Sequence, residues 1–190
     1  MYKRCITAQS AQRQRELEIG LLNIMTTHRY EDITISSFCQ QMDIPRKSFY
    51  RYFSNKDGAL YALIDHTLLE FTGDFLDAAA DKTESMYLTM EEYFLFWFSQ
   101  RKLLDVLSHN GLSGFLIQRL ISIATSEDNY ADRIAPHLNR RIKDYNIIFR
   151  VSGLMSLVIQ WHKNNFREDA KEMAVIATKL LTEPINIARS

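Results

Sequence analysis

The sequence is poor in the residues that mark secreted, loop-rich or membrane-spanning chains. Its two cysteines, Cys5 and Cys39, match no metal-ligand spacing and supply no disulfide framework, which suits a reducing cytoplasm. Six glycines and three prolines in 190 residues, beside 46% hydrophobic and 12% aromatic residues, exclude a solvated, disordered chain. No stretch reaches the roughly 18 uninterrupted apolar residues of a membrane span, and the first turns of the sequence lack the apolar run of a signal peptide. A cytoplasmic protein without a membrane partner is therefore expected. An excess of one charge is missing too: Lys plus Arg and Asp plus Glu number 23 each, so any nucleic-acid binding must come from a local patch. Catalytic motifs are absent as well. His28, His66, His109, His137 and His162 are scattered without a ligand spacing, and there is no Gly-rich phosphate loop or nucleophile elbow. The chain is read as a non-enzyme with no catalytic residue, no metal and no cofactor.

What the sequence does contain is helical periodicity. Leu17, Leu21, Ile24 and Met25 fall on one stripe, and Ile35, Phe38, Cys39 and Met42 repeat it over a shorter run. A third short helix is predicted over 46–53. A fourth, long one carries Leu60, Leu63, Ile64, Thr67, Leu68, Phe71 and Phe75 on one face, extending about 25–30 Å. Further stripes from Glu91 onward break near Asn110-Gly111 and across 126–129. The helix over 142–162 is apolar on most sides, which implies burial on two faces. The last opens with a capping box, Asp169 with Glu172, repeats Met173, Ile176, Ala177, Leu180 and Leu181, and stops at Pro184. No alternating strand pattern occurs. The expected fold is all-α, a head over 1–65 joined within the long helix near Asp65 to a body over 66–190, with residues 78–85 small and polar.

The most informative segment begins at Thr34. Thr34 can cap a short helix whose buried face is Phe38, Cys39 and Met42, and Asp43 follows where the chain must turn sharply. Pro45 fits the start of the next helix, and Ile44 with Phe49 has the spacing of a hydrophobic staple. That helix is expected to expose Arg46, Lys47, Ser48, Tyr50, Arg51 and Tyr52, and the N-terminal residues of such a helix are those a helix-turn-helix presents to base edges. Ser54 and Asp57 form a further capping box with Lys56 between them, a phosphate clamp at a helix N-terminus. From 45 to 56 the four charges, Arg46, Lys47, Arg51 and Lys56, are all basic. Tyr50 and Tyr52 could equally be core or rim aromatics and Arg51 a solvated helix charge, whereas Cys39 reads as a small core residue.

The combination of Thr34, Phe38, Ile44, Ser48-Phe49-Tyr50, Tyr52-Phe53 and Lys56, preceded by a helix and a linker over 30–33, resembles the TetR family of one-component regulators, with an AcrR-like head covering 9–68. Phe149, Gly153-Leu154, Trp161 and Phe166 resemble the final dimer helices of a common branch of that family. Three positions depart from the pattern: Asp43 and Arg29 stand where Gly is frequent, and Pro45 where a small hydroxyl residue is. The resemblance implies a homodimer on a palindromic operator in double-stranded DNA, with Tyr50 and Lys56 on phosphates and Arg46, Lys47 and Ser48 near bases. Thr34, Ser36 and Ser37 would steady the first helix of the motif on the backbone.

The resemblance also implies an inducer pocket in the body for an unidentified small molecule. The body is dense in aromatics: Tyr87, Tyr93, Phe94, Phe96, Trp97 and Phe98, then Phe115, Tyr130, Tyr145 and Phe149. Tyr93, Trp97, Phe115 and Phe149 are candidate walls and His109, Asn110 and Gln118 candidate polar groups, although helix packing alone accounts for many such aromatics. For the dimer, the apolar helix through Gly153 and the last helix offer more apolar surface than one body can cover. Gly153, Leu154, Leu157, Trp161, Ile176 and Leu180 are the candidate interface. The leading expectation is a ligand-responsive repressor. The alternative is a helical interaction module, or a constitutive DNA-binding protein without an inducer.

Overall fold

The computed structural model describes residues 1–80, 86–126 and 139–183, with the side chains at all of these except 70–80, 86–88 and 140. The fold is all-α. Among the described residues the helices are, in chain order, α1 (Ala8–Ile24), α2 (Ile35–Gln41), α3 (Arg46–Tyr52), α4 (Lys56–Ala80), α5 (Met86–Ser99), α6 (Arg101–His109), α7 (Ser113–Ala124), α8 (Arg140–Lys163) and α9 (Ala170–Thr182), with a 3-10 turn over Tyr30–Asp32. Extended pairing among the described residues is limited to an isolated antiparallel bridge between Tyr2 and Phe53. No described helix is long and apolar enough to cross a membrane. Pro184, Tyr130 and His137 lie outside the described residues, as do the side chains of Phe71, Phe75 and Tyr87.

Local chemistry explains where the helices start and stop. Thr7 and Thr34 each form a reciprocal capping box, with Ser10 and Ser37, and the Asp169–Glu172 box read from the sequence opens α9. Asn139 caps α8 through the Ile142 N–H. Gly111, with φ of 69°, follows α6 in a left-handed conformation that a side chain would strain. Asn165 and Phe166, both at φ 54°, turn the chain between α8 and α9. At 25 residues, α4 extends about 37 Å and is longer than its apolar stripe implied.

The chain divides into two compact units, Met1–Glu70 with Val106–Leu112, and Phe71–Asp105 with the residues from Ser113 onward. The first therefore runs past the boundary expected at residue 65 and takes in a short stretch that no local pattern assigns to it. Its core is the stripe of α1 (Leu17, Leu21, Ile24, Met25) against Phe38, Phe49, Phe53, Leu60, Leu63 and Ile64, all buried. In the second unit α5 packs along α9 and α7 along α8. Phe94, Trp161 and Phe166 meet edge to face there, with ring centroids 5.5 and 4.8 Å apart, and the Trp161 indole N–H donates to the Glu168 carbonyl at 2.8 Å.

Candidate nucleic-acid interface

The segment singled out by the sequence folds as two short helices joined by a tight turn. Thr34 Oγ1 accepts from the Ser37 N–H at 3.0 Å, while Ser37 Oγ accepts from the Thr34 N–H at 3.0 Å, so both hydroxyls are committed to starting α2. Ser36 is exposed beside them. Asp43 adopts φ 49°, the left-handed turn expected of it. Pro45 is the N-cap of α3, which puts Ile44 and Phe49 at the two positions of a hydrophobic staple. Phe38 and Phe49 meet edge to face at 5.5 Å beneath this turn. Burial raises the Cys39 thiol pKa, in keeping with a small core residue.

The faces of α3 separate by helical spacing. Arg46, Lys47, Tyr50 and Arg51 are exposed, Ser48 is half-buried, and Phe49, Tyr52 and Phe53 are buried. Tyr52, expected on the exposed face, is thus a correction: with 7% of its surface accessible it completes an i, i+3, i+4 stripe with Phe49 and Phe53.

The start of α4 brings a second correction. Asn55 Oδ1, and not Ser54, caps this helix by accepting from the Gly58 N–H at 2.8 Å. Asp57 instead accepts from the Tyr30 hydroxyl at 2.6 Å. The Lys56 ammonium turns inward, donates to the carbonyls of Tyr30 and Glu31, and sits 4.2 Å from the Tyr30 ring centre. Desolvation lowers its pKa, against the opposing pull of Asp57, Asp32 and Glu31. The Tyr30 pKa is raised, first by burial and then by its bond to Asp57. The Tyr30 N–H donates to Asn110 Oδ1 at 2.6 Å, which accounts for the presence of Val106–Leu112 in this unit. Lys56 thus holds the Tyr30 turn against α4 in this conformation, where the sequence suggested a clamp open to a phosphate.

The N-terminal residues carry contacts that no local sequence signal announced. The Lys3 N–H donates to the Tyr52 carbonyl at 2.9 Å, the Ser54 N–H to the Met1 carbonyl at 3.0 Å, and Lys3 Nζ to the Tyr50 carbonyl at 3.2 Å. Behind this segment is a buried polar cluster. The fully buried Glu18 carboxylate accepts from His66 Nδ1 at 2.9 Å and Arg15 Nη1 at 3.2 Å, and buried Asp65 accepts from the Tyr2 hydroxyl at 2.7 Å. An acceptor-only carboxylate requires the His66 proton on Nδ1.

The candidate pocket and dimer residues fall into different settings. Tyr93 and Trp97 are buried on α5 with ring centres 6.3 Å apart, and the Trp97 indole N–H has no acceptor among the described residues. Phe115 is half-buried on α7, whereas Gln118 is exposed there. His109 belongs to the first unit, at the exposed end of α6, and Asn110 is taken up by Tyr30. Phe149, expected to wall the pocket, is 71% exposed on α8. It shares an outward stripe with Ile142, Tyr145 and Gly153, where a Cβ added to Gly153 would meet open space. Ile176 and Leu180 are exposed on α9, Leu154 and Leu157 are half-buried, and Trp161 is buried within its own aromatic cluster and so is not offered to a partner.

Comparison with known proteins agrees on the architecture. No protein-family model matches the sequence, and no curated protein sequence does. Solved structures match over nearly the whole chain. The fatty acid degradation regulator FadR from Bacillus halodurans superposes with a TM-score of 0.61 at 14% identity, covering 97% of this chain and 98% of that one. The TetR family repressor AlkX from Dietzia sp. strain DQ12-45-1b gives 0.53 at 16% identity over 87% and 93%, and a TetR/AcrR-family regulator from Thermobifida fusca 0.53 at 17% over 94% and 100%. The chain has the fold of these TetR/AcrR-family regulators.

Proposed function

We propose that this chain, with the TetR/AcrR regulator fold, is a DNA-binding transcriptional regulator of the cytoplasm whose recognition helix is α3. The observation that carries the reading is the exposed face of α3, where Arg46, Lys47, Tyr50 and Arg51 stand together without an acidic residue, behind a turn closed by Asp43 and a capped α2. Long donors at the N-terminal end of such a helix can reach base edges, and those further along reach phosphates. One short helix reads few base pairs, so a palindromic operator bound by a homodimer supplies the specificity. The first unit, the head, reads DNA, and the second, the body, dimerises and holds a small-molecule inducer that releases the protein as a repressor. In support of the dimer, Ile142, Tyr145 and Phe149 on α8 and Ile176 and Leu180 on α9 leave apolar surface uncovered on one protomer. In support of a ligand, the Trp97 N–H is a buried donor without an acceptor among the described residues. FadR is a regulator of fatty acid degradation and AlkX is implicated in the biodegradation of n-alkanes, so fatty acids and n-alkanes are the first inducers to test.

The test is selection of duplexes from a random pool by the full-length protein, followed by titration of the selected site. A palindromic consensus is expected, with Arg46→Ala or Lys47→Ala relaxing preference at a base pair in each half-site by about 1–3 kcal/mol. Absence of any duplex affinity at low salt would sink the reading.

A further inference from the structure

We propose that the segment 1–4 is part of the DNA-binding surface, with Lys3 and Arg4 binding duplex phosphates beside the groove that α3 enters. This rests on the reading of α3 as the recognition helix. The segment is built into place: Tyr2 bridges Phe53, the Lys3 N–H and the Ser54 N–H bond across to Tyr52 and Met1, and the Tyr2 hydroxyl is anchored on Asp65. Gly58 at the start of α4 is the cradle, since a Cβ there would lie 2.5 Å from the Met1 carbonyl oxygen. Lys3 Nζ reaches the carbonyl of Tyr50, on the turn of α3 that exposes Tyr50 and Arg51. An ammonium keeps further donors once one is used, so Lys3 can brace α3 and bind a phosphate oxygen together.

Arg4 follows it, is exposed, and makes no hydrogen bond or ion pair among the described residues. No acid occurs in the sequence before Glu16. The basic surface along α3 therefore loses Lys56, which is turned in on Tyr30, and gains Lys3 and Arg4. A duplex is the partner this charge favours, because Lys3 bonds to the Tyr50 carbonyl of α3 and the exposed Arg4 follows it, adding positive charge beside the recognition helix.

Fluorescence anisotropy of the full-length protein on a random-sequence duplex, over a range of salt, tests the proposal. Arg4→Ala is the cleaner variant because Arg4 braces nothing. It is expected to weaken binding several-fold, to flatten the plot of log K against log salt by about 0.9, and to leave thermal unfolding unchanged, with Arg4→Lys restoring the slope. Lys3→Ala should flatten the slope to the same extent, with some loss of stability through its bond to α3. If both alanine variants keep the wild-type affinity and slope while Arg46→Ala weakens binding, the arm is only structural and the recognition helix stands. If the wild-type protein binds no duplex, both readings fall together.

Discussion

The two compact units handle apolar surface in opposite ways. In the first, the large apolar side chains left open are scattered, such as Ile19 on α1 and Tyr50 on α3, and buried charges are matched, Glu18 with His66 and Arg15, Asp65 with Tyr2. In the second, several of the open residues line up. Ile142, Tyr145 and Phe149 recur along α8 with Phe149 at 71% exposure, and Leu180 on α9 is 58% exposed. The difference separates a surface that is closed from one that is open. Such a stripe is the kind of surface a second chain can cover, and scattered single residues are not, which is why the dimer proposed above is placed on the second unit.

The largest effects should come from the cores. Phe53→Ala in the first unit and Phe94→Ala in the second each remove a fully buried ring and should cost about 4 kcal/mol. Urea unfolding followed by far-ultraviolet circular dichroism measures this, and a loss below about 1 kcal/mol would show a loosely packed site.

Next comes the stripe. Leu180→Glu should weaken self-association by about 3 kcal/mol, or more than a hundredfold, because a two-fold contact counts each change twice. Gly153→Leu sharpens the point: a Cβ there meets nothing within 4 Å in one protomer, so a change in sedimentation without a loss of thermal stability reports a neighbouring copy. A protein that sediments unchanged after both substitutions would leave the stripe without a partner there.

Smaller effects test the claim that the first unit is closed. Glu18→Gln keeps the shape but removes the charge that Arg15 and His66 share, and should lower stability by about 1–2 kcal/mol, discounted for the partial exposure of both partners. Tyr30→Phe should cost about 1 kcal/mol at neutral pH by removing the bond to Asp57. Because the folded Tyr30 pKa lies above its ordinary 10.0, its contribution is present below that pH and lost as pH rises beyond it, so the variant should lack part of the alkaline loss. Lys56→Ala should leave the salt dependence of DNA binding almost unchanged. A flattening by about 0.9 would return Lys56 to the phosphate surface.

Much of the architecture was legible because its signals are local. The stripe of α1, the caps at Thr34 and Asp169 and the left-handed turn at Asp43 depend on residues within a few positions of one another. The burial of Tyr52 has a local signal as well, since Phe49, Tyr52 and Phe53 are spaced as one helical face, but the expectation of an exposed Tyr52 passes it over. The corrections at Lys56 and Phe149, and the contacts of residues 1–4, were not legible, because they are decided by partners distant in sequence. Lys56 is claimed by carbonyls more than twenty residues away, and the Met1 carbonyl by the backbone at Ser54. Aromatic density, on which Phe149 is placed among the pocket walls, does not tell whether a ring faces the protein's own interior or the surface, where Phe149 stands 71% exposed.

The placement of the tryptophans has a practical consequence. The sequence has two, Trp97 and Trp161, and both are buried in the second unit, so indole emission reports on that unit alone while the first is seen only through tyrosine. Native emission should lie to the blue of water-exposed indole and shift to the red when the second unit opens. Excitation selective for tryptophan therefore reads the body's melting without interference from the head. A small molecule that accepts a hydrogen bond from the Trp97 N–H would change the same spectrum with no label attached.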